Sequence, residues 1–190
     1  MKKEHIILGI SVFLALLFVS TIGNMYTGYT ILQKDITLKD YPYPFIKNNN
    51  YNNLYIVLPD SYTIDEYDSA LVIAKSIQFA RPLLPKIVRE SDLPDRGEYN
   101  LILIGDPCTN SLIADYLLTN DCNLNLYRDQ GLLELVNNDK TSVLVVSGYD
   151  LSAIKKSAML LSKYTTYPIR NNRVVVSGNP NVPLGMVMSS

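Results

Sequence analysis

Short apolar runs alternate with segments of helical periodicity along most of this chain. The clearest run, Val143–Val146, is followed by small residues, an acid and a helical pattern. Asn53–Leu58 and Asn100–Ile104 are likewise followed by a turn, an acid and a helical segment. Short, continuous apolar runs that end in turns are typical of strands buried in a parallel sheet. The pattern therefore predicts an α/β domain with a mostly parallel sheet and helices on both faces.

Capping signals and shorter apolar runs predict the remaining elements. Thr63 and Glu66 have the spacing of a capping box, so a helix is expected to begin there and to extend to about Ala80. A second helix is expected to begin at Asn110 or Ser111, and a third to extend from Asp150 to about Tyr164. Three shorter strands are predicted: Lys86–Arg89, Gly131–Val136 at the edge of the sheet, and Arg173–Ser177.

An uncharged apolar run at residues 6–23 precedes this domain, with Lys2 and Lys3 on its N-terminal side. A run of this length can just span the bilayer core, so it predicts a single transmembrane helix. The positive-inside rule then places residues 1–5 in the cytoplasm and the rest of the chain outside. The alternative is a signal peptide that is cleaved after Gly23. We expect an exported domain in both cases, anchored in the cell membrane in the first and secreted or bound at the cell surface in the second.

Three further boundaries complete the predicted organisation. Residues 24–47 are predicted to be a linker or stalk, or an edge strand that enters the domain, because Tyr-Pro-Tyr-Pro at 41–44 favours extended backbone. The α/β domain is predicted at residues 48–178. Residues 179–190, which contain two prolines, are predicted to be a flexible C-terminal tail.

Composition and motifs exclude several classes of chemistry. The 17 basic and 18 acidic residues nearly balance, so no basic excess indicates nucleic acid. The single histidine, His5, precedes the domain, which leaves the domain without a histidine base or metal ligand. Neither glycine-rich phosphate motif occurs, nor does G-x-S-x-G. We therefore expect no enzyme activity, no cofactor, no nucleotide and no metal.

Acids follow the three main predicted strands: Asp60, Asp106 and Asp150. Ligands of doubly wound folds bind outside the carboxyl ends of the strands. Together with Asn110 and Tyr149, the acids could form a rim that holds a cation or a sugar. In the other interpretation, each acid caps its own turn or helix N-terminus, and we favour that interpretation because no nucleophile–base pair accompanies the acids.

Cys108 and Cys122 are the two cysteines of the chain. In an exported protein an even pair indicates a disulfide. Two unpaired buried thiols are the alternative. A metal site is less favoured, because two thiolates without histidine leave zinc short of ligands.

Two segments resemble the archaeal surface-layer (S-layer) protein family. Asn100–Ser111, with its Gly-Asp-Pro-Cys-Thr-Asn turn, is similar to a strand–turn–helix segment of that family. Val143–Asp150, with its Gly-Tyr-Asp turn, resembles a later strand that is followed by a helix rich in Ala and Lys. The similarity covers about residues 53–165, and Cys122 lies where the family would have a partner cysteine.

The chain also departs from that family in several respects. Asp106 stands where a second glycine is usual, and the apolar segment is N-terminal rather than C-terminal. The chain is shorter than a lattice-forming subunit and lacks large β-rich outer domains. Together, the resemblance and these departures imply a small, non-catalytic extracytoplasmic module rather than a lattice-forming subunit. We expect it to contact surface-layer or other cell-surface proteins through exposed Tyr and Asn loops. The alternative function is a ligand- or cation-binding α/β domain, conceivably enzymatic, that uses the three acids.

Overall fold

The computed structural model describes residues 36–48, 50–78, 84–94, 99–138, 140–167, 169–178 and 187–188. They belong to one compact unit, Ile36–Ser190. The apolar run at residues 6–23, and with it the predicted membrane or signal segment, lies outside the described residues. Within the described part, no helix has both the length and the apolar character needed to cross a membrane.

Nine strands and three α-helices occur among these residues. The strands are β1 (Ile46–Lys47), β2 (Asn50–Tyr51), β3 (Leu54–Leu58), β4 (Lys86–Arg89), β5 (Asn100–Ile104), β6 (Gly131–Asn137), β7 (Ser142–Gly148), β8 (Arg173–Val176) and β9 (Val187–Met188). The helices are α1 (Ile64–Ser76), α2 (Ser111–Leu117) and α3 (Leu151–Ser162), and single 3₁₀ turns cover Leu38–Asp40 and Glu90–Asp92.

The main sheet has the strand order β4-β3-β5-β7-β6-β8-β9. Strands β4, β3, β5 and β7 pair in parallel, whereas β6 and β9 run in the opposite direction to their neighbours. The predicted mixed α/β fold with a mostly parallel sheet is confirmed. The prediction that Gly131–Val136 lies at the sheet edge is wrong, because β6 lies between β7 and β8. Both Leu132 and Leu133 are buried, as an interior strand requires.

Helices cover both faces of the sheet, as predicted. On one face, α1 and α3 pack on alternate residues of the strands, among them Ile56, Ile102 and Leu144. On the other face, α2 packs on the intervening residues, among them Val57, Leu103 and Val145. The central strands are therefore buried from both sides, which explains their continuous apolar sequences.

The direction of winding reverses between β3 and β5. The chain passes from β3 through α1 to β4 on one side, and β5 with α2 begins the other half of the sheet. We call the end where β3, β5 and β7 finish the carboxyl pole, and the end where they begin the amino pole. The reversal makes the carboxyl pole the usual place for a ligand in such a fold.

The predicted helix starts are confirmed more closely than the helix ends. The capping box of α1 forms, with Thr63 N–H donating to Glu66 Oε2 (2.7 Å) and Glu66 N–H to Thr63 Oγ1 (3.3 Å). This helix ends at Ser76, before the predicted Ala80, which lies outside the described residues. Helix α2 is short because Leu118 adopts a left-handed conformation.

The boundary predicted at residue 48 is wrong for residues 36–47, which pack on the domain. Leu38, Tyr41 and Phe45 are buried against the face that carries α1 and α3. The Tyr41 ring meets the Tyr164 ring edge-on, with 5.0 Å between the ring centroids. Prolines lie between these apolar residues, so the segment has neither helical nor strand periodicity. The sequence therefore predicts a linker, although the apolar side chains of the segment complete the core.

Two further segments outside the helices and the central strands contribute to the fold. The polar loop at residues 120–129 buries Leu124 and Leu126 against Leu132. In the predicted C-terminal tail, Val187–Met188 pairs with β8 as strand β9, and the remaining residues of the tail lie outside the described part.

Two glycines let α3 approach the sheet closely. Gly131 and Gly148 are paired across β6 and β7. A Cβ atom at Gly148 would lie 2.6 Å from the backbone of Ala153 and Ile154, and one at Gly131 would lie 2.6 Å from the Ala153 carbonyl oxygen. Since these neighbours are backbone atoms, a methyl group at either glycine would displace the helix.

Gly148→Ala is therefore expected to lower the free energy of unfolding by about 1–3 kcal/mol, the usual cost of overpacking. Urea denaturation followed by circular dichroism would measure the change. Thr166→Ala, at an exposed position, serves as the control and should stay within about 0.5 kcal/mol of the parent. An unchanged midpoint for Gly148→Ala would show that α3 does not pack as described.

Candidate functional site

The three acids singled out in the sequence lie at the carboxyl pole. Asp60, Asp106 and Asp150 follow β3, β5 and β7, and these strands are neighbours in the sheet. The predicted grouping at one pole is therefore found. Whether the acids can bind a ligand depends on what their carboxylates already contact.

Asp60 joins the ends of two strands. Its Oδ1 accepts a hydrogen bond from the backbone N–H of Ser91 (2.9 Å), in the 3₁₀ turn that follows β4. Hydrogen bonds from Ser91 hold the pKa of the Asp60 carboxyl below its usual value. This carboxylate is thus engaged in closing the β3–β4 end of the sheet.

Asp106 organises the turn between β5 and α2. Its Oδ1 accepts from the backbone N–H groups of Cys108 (2.8 Å) and Thr109 (3.1 Å), and its Oδ2 accepts from the Thr109 hydroxyl (3.0 Å). Both oxygens therefore have partners within three residues. Such a self-contained turn needs no external ligand to hold its shape.

Asp150 is the N-cap residue of α3. Its Oδ1 accepts from the Ser152 hydroxyl (2.8 Å) and from the backbone N–H of Ala153 (2.9 Å). The Ser152 hydroxyl bond, followed by the Ala153 bond, lowers the pKa of the Asp150 carboxyl. The cap satisfies one N–H group that the helix itself cannot pair.

The two polar neighbours of the acids differ in exposure. Asn110 is fully buried, and its Nδ2 donates to the Ile104 carbonyl oxygen (3.1 Å), whereas Tyr149 is exposed. Among the residues that the structure describes, no three His, Cys, Asp or Glu side chains are grouped so that they could hold a metal ion. The contacts therefore support the capping interpretation for Asp106 and Asp150. That interpretation is wrong for Asp60, whose carboxylate binds the distant Ser91 rather than a group of its own turn.

The two cysteines secure a loop at this pole. Cys108 and Cys122 lie at disulfide-bonding distance, with their Cα atoms 5.2 Å apart. The bridge would tie the segment after α2 to the Asp106 turn. In the chain-entropy account, a loop of this size contributes about 3 kcal/mol to stability when it is closed by a disulfide.

A cluster at the carboxyl pole that the sequence did not reveal contains Tyr62, Tyr67 and Arg89. The two rings are stacked with their centroids 6.0 Å apart, and the Arg89 guanidinium carbon lies 5.8 Å from the Tyr62 centroid. We call these three residues the tyrosine–arginine cluster. All three are exposed. Pairing of Leu58 with Arg89 at the ends of β3 and β4 brings the arginine to the tyrosines, so only the register of the strands could have indicated this contact.

Glu90 forms a second connection at this pole that the sequence did not reveal. Its Oε2 accepts from the backbone N–H of Ser111 (3.0 Å), and its Oε1 accepts from the Ser111 hydroxyl. The contact joins the end of β4 to the first residue of α2. Asp60 and Glu90 therefore link neighbouring segments, whereas Asp106 and Asp150 bind groups within their own segments.

A comparison of the chain with protein-family models and with curated proteins finds no match.

The capping role of Asp150 makes stability depend on pH. Because the folded-state pKa lies below the ordinary value of 3.8, the contribution is complete above that value and is lost as pH falls through the folded pKa. Asp150→Ala should lower the free energy of unfolding by about 1 kcal/mol at neutral pH. Urea denaturation at several pH values should show the difference from the parent narrowing under acidic conditions.

Asp68→Ala, in the middle of α1 and exposed, is the matched control and should change stability by less than about 0.5 kcal/mol. A loss at Asp150 that stays the same at all pH values would contradict the proposed contribution of its carboxylate.

Proposed function

We propose that this chain is a non-catalytic, extracytoplasmic module of the cell envelope, S-layer-like, that contacts surface-layer or other envelope proteins. The lysines that precede the apolar run support a membrane tether with the domain outside. The cysteine pair at bonding distance suits an oxidising compartment. The resemblance of the Pro-Cys and Gly-Tyr-Asp turns to surface-layer proteins supports the class of partner.

The observation that carries this proposal is the tyrosine–arginine cluster at the carboxyl pole. Tyr62 and Tyr67 are 36% and 42% exposed, and Ile64 beside them is 81% exposed. Tyrosine and arginine are enriched among the residues that dominate the energy of protein interfaces. Tyrosine also gives a large contact area for a small loss of side-chain entropy.

The cluster is attached to rigid parts of the fold. Tyr67 lies in α1, whose first turn is held by the Thr63–Glu66 capping box, and Arg89 is the last residue of β4. Because the rings stack on one another before any partner arrives, little ordering is needed on binding. An arrangement of this kind suits recognition of a protein surface.

The described chain begins at the amino pole. The Ile36 carbonyl oxygen accepts from Asn137 Nδ2 (2.7 Å), and Asn137 pairs with Ser142 at the amino pole. The chain thus enters the domain at the pole opposite the cluster.

Photo-crosslinking in cells tests the proposed contact surface. A photoreactive amino acid at Tyr67 of the full chain should capture an exported envelope protein, whereas the same group at Lys75, at the amino-pole end of α1, should not. For the purified pair, Tyr62→Ala should weaken binding about 30-fold, which corresponds to a hot-spot loss of about 2 kcal/mol. Equal capture at both positions, or unchanged affinity of the variant, would contradict this surface.

A second candidate function is cation or ligand binding by the three acids, which the grouping of Asp60, Asp106 and Asp150 at one pole favours. A bound ion stabilises the native state by mass action. Since each carboxylate already has a local partner, we expect Mg²⁺ and Ca²⁺ to change stability by less than about 0.5 kcal/mol. Thermal denaturation with EDTA or with either ion would measure this. A rise of several degrees that Asp106→Asn abolishes would establish the ligand rim instead.

A further inference from the structure

Basic side chains are concentrated at the amino pole, although the net charge of the chain is only −1. They lie in the first 3₁₀ turn, in β1, at the ends of α1 and α3, in the β6–β7 connection and just before β8. The set, which we call the basic pole, consists of Lys39, Lys47, Lys75, Lys140, Lys163 and Arg170. Five of the six are exposed, and Lys163 is partly buried.

Acidic side chains are characteristic of the carboxyl pole. Asp60, Asp65, Asp106 and Asp150 lie at the ends of strands or the starts of helices there. Two lysines of that pole have partners there. Lys155 pairs with Asp65 (3.5 Å), and Lys156 donates to the backbone carbonyl of Asp129 (2.7 Å).

The helix dipole explains only part of this separation of bases and acids between the two poles. A helix dipole favours acids at the N-terminus and bases at the C-terminus, which explains Lys75 and Lys163. Lys47 and Arg170 lie on no helix, so the dipole gives no reason for their position. The helix dipole therefore does not account for the whole of the basic pole.

The basic pole is not neutralised by the described carboxylates. In the described part of the chain, the salt bridges join Lys155 to Asp65 and Arg173 to Glu134, and neither involves the basic pole. Lys86 shows the contrast, because its ammonium contacts the Tyr55 hydroxyl (3.4 Å) and lies 5.3 Å from the centroid of the Tyr55 ring. The cations of the basic pole are therefore available to an external anion.

The basic pole is also where the chain enters the domain, at Ile36. If residues 6–23 are the tether of the proposed function, residues 24–35 connect it to this pole and can extend at most about 40 Å. A short tether keeps the basic pole at high effective concentration near the bilayer. Lysine and arginine close to a bilayer are attracted to anionic headgroups of the leaflet that they face, an attraction best known from the cytoplasmic leaflet. For an exported domain, this attraction therefore requires anionic lipid in the outer leaflet.

We propose that the amino pole docks on an anionic phospholipid surface through the basic pole, which turns the carboxyl pole away from the membrane. This inference rests on the tether in the proposed function, but not on the partner at the carboxyl pole. The attraction is electrostatic and acts across exposed side chains, so salt should weaken it.

Hydrogen exchange of the full chain in vesicles tests the docking. Vesicles of phosphatidylcholine alone would be compared with vesicles that also contain phosphatidylglycerol, each with the domain facing outward. With the anionic lipid, the amides of the β1–β2 hairpin and of the segment before β8 should exchange several-fold more slowly. Those of the Asp60 and Asp106 turns should be unchanged, and high salt should remove the difference.

Matched charge-reversal variants test whether the protection depends on the basic pole. Lys47→Glu and Arg170→Glu should each reduce the protection, whereas Arg128→Glu should not, because Arg128 adjoins the start of β6 at the carboxyl pole. All three variants change the net charge equally. Equal protection in neutral and anionic vesicles, or equal effects of the three variants, would overturn the proposal. Protection by polyglutamate but not by vesicles would also overturn it and favour an acidic polymer.

The same samples separate the failure of the docking from the failure of the tether. A chain that alkaline carbonate extracts from the vesicles contradicts the tether, and anionic vesicles added from outside then test the docking directly. A chain that resists extraction but shows no dependence on lipid charge contradicts the docking alone.

Discussion

Burial of β3, β5 and β7 on both faces is the constraint on which the rest of this structure depends. Ile102 packs under α1 and α3, while Leu103, the next residue, packs under α2. A charged group on such a strand would lose its hydration without a partner, at a cost of several kcal/mol. Glu134 shows this cost, because burial raises the pKa of its carboxyl even though Arg173 pairs with it and lowers it in part. Strands β3, β5 and β7 accordingly contain no charged residue, and Asp60, Asp106 and Asp150 lie beyond their ends.

The packing of helices on both faces of the sheet also determines which groups the acids bind. Every helix that follows a parallel strand starts at the carboxyl pole and leaves unpaired N–H groups there. Asp150 and Glu66 bind such groups at the starts of α3 and α1, and Asp106 binds those of its own turn. Acids at neighbouring strand ends consequently resemble a metal site in the sequence, although each already accepts a hydrogen bond from the protein: Asp106 and Asp150 within their own segments, and Asp60 from Ser91. The exposed tyrosine–arginine cluster lies beside these acids at the same pole.

Local signals in the sequence predicted the core well. The differences between the predicted and the observed structure come from contacts between segments that are distant in the sequence. The capping box at Thr63 and the apolar run at Val143–Val146 act within a few residues, so the elements are where they were expected. Burial of Phe45 depends on helices that come later in the chain, and the spacing around it gives no period. The approach of Arg89 to Tyr62 depends on strand register, which single-strand patterns do not contain. The three acids could be assigned to one pole from the sequence, but not their hydrogen-bond partners.

The two poles suit two interactions that differ in range. Contacts of Tyr62 and Tyr67 require close approach and depend on buried area, so they change little with salt. The cations of the amino pole act over about 10 Å at ionic strengths near 0.1 M, and they need no fitted surface. A long-range, unspecific attraction can therefore orient the domain while a short-range, specific contact selects a partner at the opposite end. Since the rigid sheet separates the poles, the proposed module can carry out both interactions at once without either surface obstructing the other.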